Sequence, residues 1–341
     1  MKTKVLIFFS LTLMVLAWNV PGSNAQGLPS MLHIGTHAVG SFGNIIGTGT
    51  ATILNKYTPM KATVKAMAGP SAWYPLVVSE EVDLGVANNW DSEKGYLGQS
   101  VYEKLSQGKG FPIRLMTIGV AYAGGLVVAA DSGIYSYADL RGKRVAGNLP
   151  TPSLQLQTEA YVANGGVKWS EVKVIPVSNV AEGVKAVIEG RADCSATITL
   201  GMPVINELHA KKGARILPID PSPEAVKRTK DIYPGYPLKV TPGPGRTGVD
   251  KEMYLWGYDI YLVGRQSLSD EAAYQIVRAM WEHYAEMGQI HVLLKEWTPD
   301  KYVSKEALIP YHPGAIRFYK EKGVWTTEME KLQEVLLAKK K

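Results

Sequence analysis

The chain has 341 residues, with 37 Lys and Arg against 31 Asp and Glu, and a single cysteine, Cys194. A chain this long buries its own core and suggests two lobes, while a lone cysteine excludes an intramolecular disulfide and a cysteine-rich metal centre. Without Lys2 and Lys4 there are 35 basic against 31 acidic residues, a net of +4 that gathers at Lys339, Lys340 and Lys341, so charge gives no support to nucleic-acid binding.

Residues 1–25 read as an export signal. Lys2 and Lys4 form a basic start, Val5 to Trp18 an apolar run, and Ser23-Asn24-Ala25 a small-x-small cleavage site. The run is shorter than the roughly 20 residues a spanning helix needs. The expectation is cleavage before Gln26 and a soluble periplasmic protein.

Strand and helix patterns then alternate, which indicates an α/β architecture. The pattern predicts a strand over Met31–Gly35, a helix over Phe42–Tyr57, a strand over Lys61–Ala68, a helix over Ser71–Ser79 and a strand over Val82–Asn88. Two more strands, Arg114–Val120 and Leu126–Ala130, are expected either side of Ala121–Gly125. A second unit repeats the layout: strand Arg144–Ala146, a turn through Asn148 and Thr151, a helix over Ser153–Asn164, strand Glu171–Val177, helix Val180–Glu189 and strand Asp193–Thr199. Proline-rich Pro218–Arg246 reads as an extended connection. Tyr258–Val263 reads as a returning strand, Ser269–Met287 as an amphipathic helix, and Ala315–Leu337 as a helix interrupted at Gly323. A late return strand makes the first lobe discontinuous. The expected division is 26–121 with 259–341 for lobe I and 122–258 for lobe II, with a ligand cleft between them.

Enzymatic signatures are sparse. The run Gly47-Thr48-Gly49-Thr50-Ala51-Thr52 imitates a dinucleotide loop, but it falls inside a helix and no acid precedes Glu80 to hold a ribose. Small residues for close helix packing explain it better. His33 and His37 do not share a helix face, so no metal pair is pre-formed. No metal or cofactor is expected.

Four segments look like cleft walls. The first is the turn carrying Thr36, His37, Ser41 and Phe42, where a strand runs into a helix N-terminus with unsatisfied N–H donors and partial positive charge. The second is a helix start with Ser71 and Trp73. The third is Asn88-Asn89-Trp90-Asp91, emerging at the end of an apolar strand. The fourth, with Asn148, Thr151 and Ser153, is the second unit's counterpart of the first turn. Ser71 and Ser153 also suit helix capping alone. Trp73, Trp90 and Tyr122 offer aromatic surface to a ligand, and Asp91 offers an acceptor to an ammonium or hydroxyl.

Several of these motifs resemble the TAXI-type solute receptors of tripartite ATP-independent periplasmic (TRAP) transporters: Ile34-Gly35-Thr36, Gly69-Pro70-Ser71, Glu81–Val86, Asp139–Val145, Glu189–Asp193 and His312–Tyr319. The resemblance spans nearly all of residues 26–341. It implies a two-lobe type II periplasmic-binding-protein-like fold with a central ligand cleft that closes on a small solute for a TRAP membrane permease. Departures at His37–Phe42, Asn89–Asp91 and Thr151–Ser153 leave the solute open. The expected partner is a small organic anion or amino-acid-like solute, captured by a monomer without enzymatic turnover. The alternative is an exported enzyme using His37 and Asp91 as an acid–base pair, or else a surface scaffold without a solute.

Overall fold

The computed structural model describes residues 27–340, so the expected signal segment lies outside the described residues. The first unit runs β1 (Met31–Thr36), α1 (Phe42–Tyr57), β2 (Lys61–Ala66), α2 (Pro70–Val78), β3 (Leu84–Asn88), α3 (Asn89–Leu97) and α4 (Tyr102–Ser106), then enters β4 (Ile113–Gly125). The second comprises β5 (Val127–Ala129), β6 (Arg144–Gly147), α5 (Pro152–Asn164), β7 (Lys173–Pro176), α6 (Val180–Ile188), β8 (Ile198–Thr199), α7 (Pro203–Lys212), β9 (Ala214–Ile216), α8 (Pro223–Lys230) and β10 (Tyr236–Val240). The chain returns through β11 (Met253–Arg265) to α9 (Asp270–His283), α10 (Met287–Ile290), α11 (Pro313–Glu321) and α12 (Thr327–Ala338).

The larger sheet has the order β2-β1-β3-β11-β4-β8, with β10 also on β11. β1 runs parallel to β2 and β3, whereas β11 is antiparallel to both β3 and β4. The smaller sheet repeats this plan. β6 runs parallel to β7, and Cys194 bridges β6 in parallel and β5 in antiparallel, with β9 antiparallel on β5. Each lobe therefore reads parallel, parallel, antiparallel, antiparallel.

The same bond fastens both units. Asp83, just before β3, accepts the His33 N–H of β1 at 2.8 Å, and Asp193 accepts the Arg144 N–H of β6 at 2.8 Å. Each carboxylate also takes an arginine: Arg265 Nε on Asp83 at 2.9 Å and Arg144 Nη2 on Asp193 at 2.6 Å. Buried N–H groups at a strand start need an acceptor, and a carboxylate gives a stronger bond than a neutral one. The acidic motifs therefore serve the sheets rather than a ligand.

Helix α1 matches the expected span, capped by Ser41 Oγ accepting the Asn44 N–H at 3.2 Å. Its glycines let it lie close: a Cβ on Gly49 would stand 2.7 Å from Met287 Sδ, and one on Gly47 would overlap the Thr36 methyl. Close packing, not a nucleotide loop, accounts for them.

Three expectations change. Ala121–Gly125 does not separate two strands, because residues 121–124 pair with residues 256–259 of β11 and the ladder carries on. The expected strand Asp193–Thr199 is reduced to the Cys194 bridge and the two residues of β8. Pro218–Arg246 is not simply extended. Pro223 opens α8, where its missing N–H has no helical partner to lose, and Pro237 sits in β10, which pairs on one side only with β11. One buried apolar cluster runs through both units. None of the described helices is long and apolar enough to cross a membrane.

Candidate functional site

A narrow cavity of about 30 Å³ lies between the lobes, room for the centres of about two waters. From the first lobe come His37, Ser41, Phe42 and Gly43, together with Val86, Ala87 and Asn88 at the end of β3. Tyr122, Tyr258 and Ile260 line it from the β4–β11 ribbon. Leu154, Val180, Thr197, Ile198, Thr199 and Met202 close it from the second lobe. None of these lining residues is charged.

Four helix N-termini among the described residues meet at this cavity. Ser41 caps α1, Asn88 caps α3 by accepting the Asp91 N–H at 2.7 Å, Leu154 lies in the first turn of α5, and Val180 opens α6. α1 and α5 carry no acid in their first turns, so their positive ends are not neutralised there. His37 is half-buried, and its Nε2 is sealed from solvent without a protein partner. Burial holds its pKa down at about 4, so the imidazole is neutral near pH 7. Tyr122 is buried, with its hydroxyl unpartnered and its ring edge-on to Phe42 at 5.2 Å and to Tyr258 at 5.5 Å. The cavity thus offers neutral donors and helix ends to a ligand, with no side-chain charge of either sign.

The expected site residues separate into three groups. His37, Ser41, Phe42 and Tyr122 line the cavity. Asp91, Thr151 and Ser153 instead join the lobes. Ser153 Oγ donates to Asp91 Oδ2 at 2.6 Å, and Thr151 Oγ1 donates to the Ala68 carbonyl. Asp91 also accepts from Asn88 Nδ2 at 2.7 Å and from the Tyr102 hydroxyl at 2.5 Å. Burial raises its pKa to about 6, opposed by the bonds from Ser153, Tyr102 and Asn88. Asp91 is not among the cavity-lining residues, and its oxygens are already engaged. It is therefore neither the expected acceptor for a solute nor the expected acid–base partner of His37.

The remaining six lie elsewhere. Thr36 is buried, with its hydroxyl held between the His37 carbonyl at 2.9 Å and Asn44 Nδ2 at 3.1 Å. Ser71 sits inside the first turn of α2 and does not cap it, because Gly69 occupies the cap with φ +140°. A Cβ on Gly69 would come within 2.8 Å of the His37 ring, so backbone alone fits there. Trp73 is core: its ring lies against Gly35 and Gly85, whose missing side chains make its space. Asn89 bonds the Trp90 N–H at 2.9 Å, and Trp90 packs on Tyr233 at 5.9 Å. Asn148 is exposed, with φ +54°.

Asn88 opens the third expected wall and does line the cavity. Sequence reasoning missed Thr197 and Thr199, whose alternation around Ile198 was legible. Tyr258 carried no local signal, because only the cross-strand register brings it opposite Tyr122.

Over residues 34–323 the sequence matches the NMT1-like family. The chain belongs to that family. Its fold is similar to a protein of Bordetella bronchiseptica (TM-score 0.51, 16% identity, covering 91% of this chain and 99% of that one). It is also similar to a binding protein component of an ABC phosphonate transporter from Pseudomonas aeruginosa (0.50, 13%, 92% and 97%). The periplasmic aliphatic sulphonate binding protein of Escherichia coli is a further match (0.46, 14%, 89% and 92%). This NMT1-like chain has the two-lobe fold of periplasmic binding proteins.

Proposed function

We propose that this chain is an extracytoplasmic solute-binding protein that captures a small carboxylate-bearing solute between its lobes and delivers it to a membrane permease. The observation that supports the reading is the meeting of four helix N-termini, two from each lobe, around an interlobe cavity lined by uncharged residues. Such ends stabilise an anion through N–H donors and partial positive charge, without a basic side chain. In the described conformation the cavity holds little more than water, so a solute enters only when the lobes separate. Ser153–Asp91 and Thr151–Ala68 open and re-form in that cycle.

The division into 26–121 with 259–341 and 122–258 suits this motion. Residue pairs 121/259 and 122/258 face each other across the β4–β11 ribbon, and the ladder register shifts just beyond, between Asp259 and Tyr261. The chain works as an exported monomer on this reading. A TRAP-type permease is proposed on the motif resemblance. ATP-depleted vesicles that still take up solute through the cognate permease support it; uptake that needs ATP refutes it.

The test of the main reading is calorimetric titration of the purified protein with short carboxylates, alkyl sulfonates, phosphonates and amino acids. Saturable binding of a carboxylate, recovered unchanged and accompanied by a higher melting temperature, is expected. Preference for a sulfonate or phosphonate changes the solute class. Failure of every organic anion overturns the reading.

A further inference from the structure

A second cavity, of about 110 Å³, lies beside the first and shares three of its walls: Phe42, Tyr122 and Thr199. Beyond that partition its lining is mainly aliphatic, with Leu200, Leu238, Val240 and Leu293. Its charged groups are already paired. Arg246 Nη2 meets Glu296 at 2.9 Å and also donates through Nη1 to the Thr241 carbonyl at 3.1 Å, while Lys239 meets Glu252 at 2.7 Å. The Glu296 side chain is 44% exposed, so the pair marks the outer, solvent-facing end of this chamber.

The two chambers ask for different chemistry. The inner one provides helix N-termini for a single anionic head. The outer one offers aliphatic surface and no unpaired charge, so a second carboxylate would be desolvated there without a partner. An α-ammonium fares no better in the inner chamber, since the carboxylate nearest the lobe junction, Asp91, has its oxygens taken by Asn88, Tyr102 and Ser153. The partition is made of side chains, and the Tyr122 hydroxyl has no partner holding it in place.

We infer that the solute is an elongated monoanion whose head sits at the helix ends and whose apolar body passes between Phe42 and Tyr122 into the outer chamber. The inference rests on the solute-receptor reading and deepens it. It favours alkyl or aryl monocarboxylates over dicarboxylates and amino acids of the same length.

The test is titration calorimetry of the whole exported protein with straight-chain carboxylates from propionate to octanoate, with 3-phenylpropionate, succinate and glutamate beside them. Affinity is expected to rise about fourfold per added methylene until the outer chamber fills. Leu238→Trp, which fills the outer chamber only, is expected to end that rise early and to weaken octanoate at least tenfold, while propionate and butyrate stay within twofold. Leu293→Phe gives the same pattern more mildly and serves if the first variant does not fold. A flat chain-length series, tighter binding of succinate or glutamate, or an equal loss for short and long chains overturns the inference while leaving the receptor reading in place. Failure of all these carboxylates overturns the inference, and failure of sulfonates and phosphonates as well overturns both.

Discussion

The turn from Thr36 to Phe42 and the turn from Asn148 to Ser153 occupy matching places, each between the first strand and first helix of its unit, yet they do different work. The first puts His37, Ser41 and Phe42 on the interlobe cavity. The second leaves Asn148 in solvent and commits Thr151 and Ser153 to bonds with the opposite lobe. One turn lines the cavity and the other is a clasp. Equivalent local geometry fixes where a hydroxyl stands, but the partner that reaches it decides its use.

Ser41→Asp should break this contrast most sharply. Aspartate caps a helix as well as serine, so the melting temperature should hold or rise. A carboxylate at about 4 Å from a bound anion costs roughly 4 kcal/mol at an effective dielectric of about 20, so binding should fall at least about 100-fold by calorimetry. Asn148→Asp in the other turn should change affinity by less than about twofold, since an exposed charge is screened. Equal losses in the two variants would abolish the distinction.

The clasp should show itself in pH dependence. The folded-state pKa of Asp91 is raised from 3.8 to about 6, chiefly by burial, so the native protein holds a proton there that the unfolded chain releases. Stability from this group is full below pH 3.8 and is lost as pH rises through 6, a swing of about 3 kcal/mol. Asp91→Asn removes that swing. In urea unfolding, the variant should gain about 2.4 kcal/mol relative to the parent between pH 4 and pH 8, and a constant difference would contradict the assignment.

Ser153→Ala deletes the hydroxyl that crosses the lobes to a buried carboxylate, a loss of about 1.5–3 kcal/mol from the closed form. Small-angle scattering of the ligand-free variant should show a larger radius of gyration than the parent. An unchanged radius with unchanged affinity would remove Ser153 from the clasp. The smallest effect belongs to Ser41→Ala, where losing the α1 cap lowers stability by about 1 kcal/mol, read as a modest fall in melting temperature.

Much of the scaffold was legible because periodicity and turn chemistry are local. Helix α1 came out at its expected ends, Gly323 breaks the C-terminal helices at φ +71°, and both acidic motifs stand just before third strands. The site was legible only in part. Trp73 looked like ligand surface because it follows a helix start that carries the Ser71 hydroxyl. What buries it are Gly35 and Gly85, glycines on two different strands that together clear space for one indole. Asp91 looked available because its donors, Tyr102 and Ser153, come from a separate helix and from the other lobe.

By itself the sequence determined two repeated α/β units, a late return strand and a glycine-rich turn free of acids, because each depends on residue type over a few positions. Only the tertiary structure decided which polar groups face the interlobe cavity. Cross-strand register sets Tyr258 opposite Tyr122, and the packing of the two lobes places Ser153 on Asp91. Both follow from contacts between residues far apart in the chain, and neither leaves a mark in the local pattern.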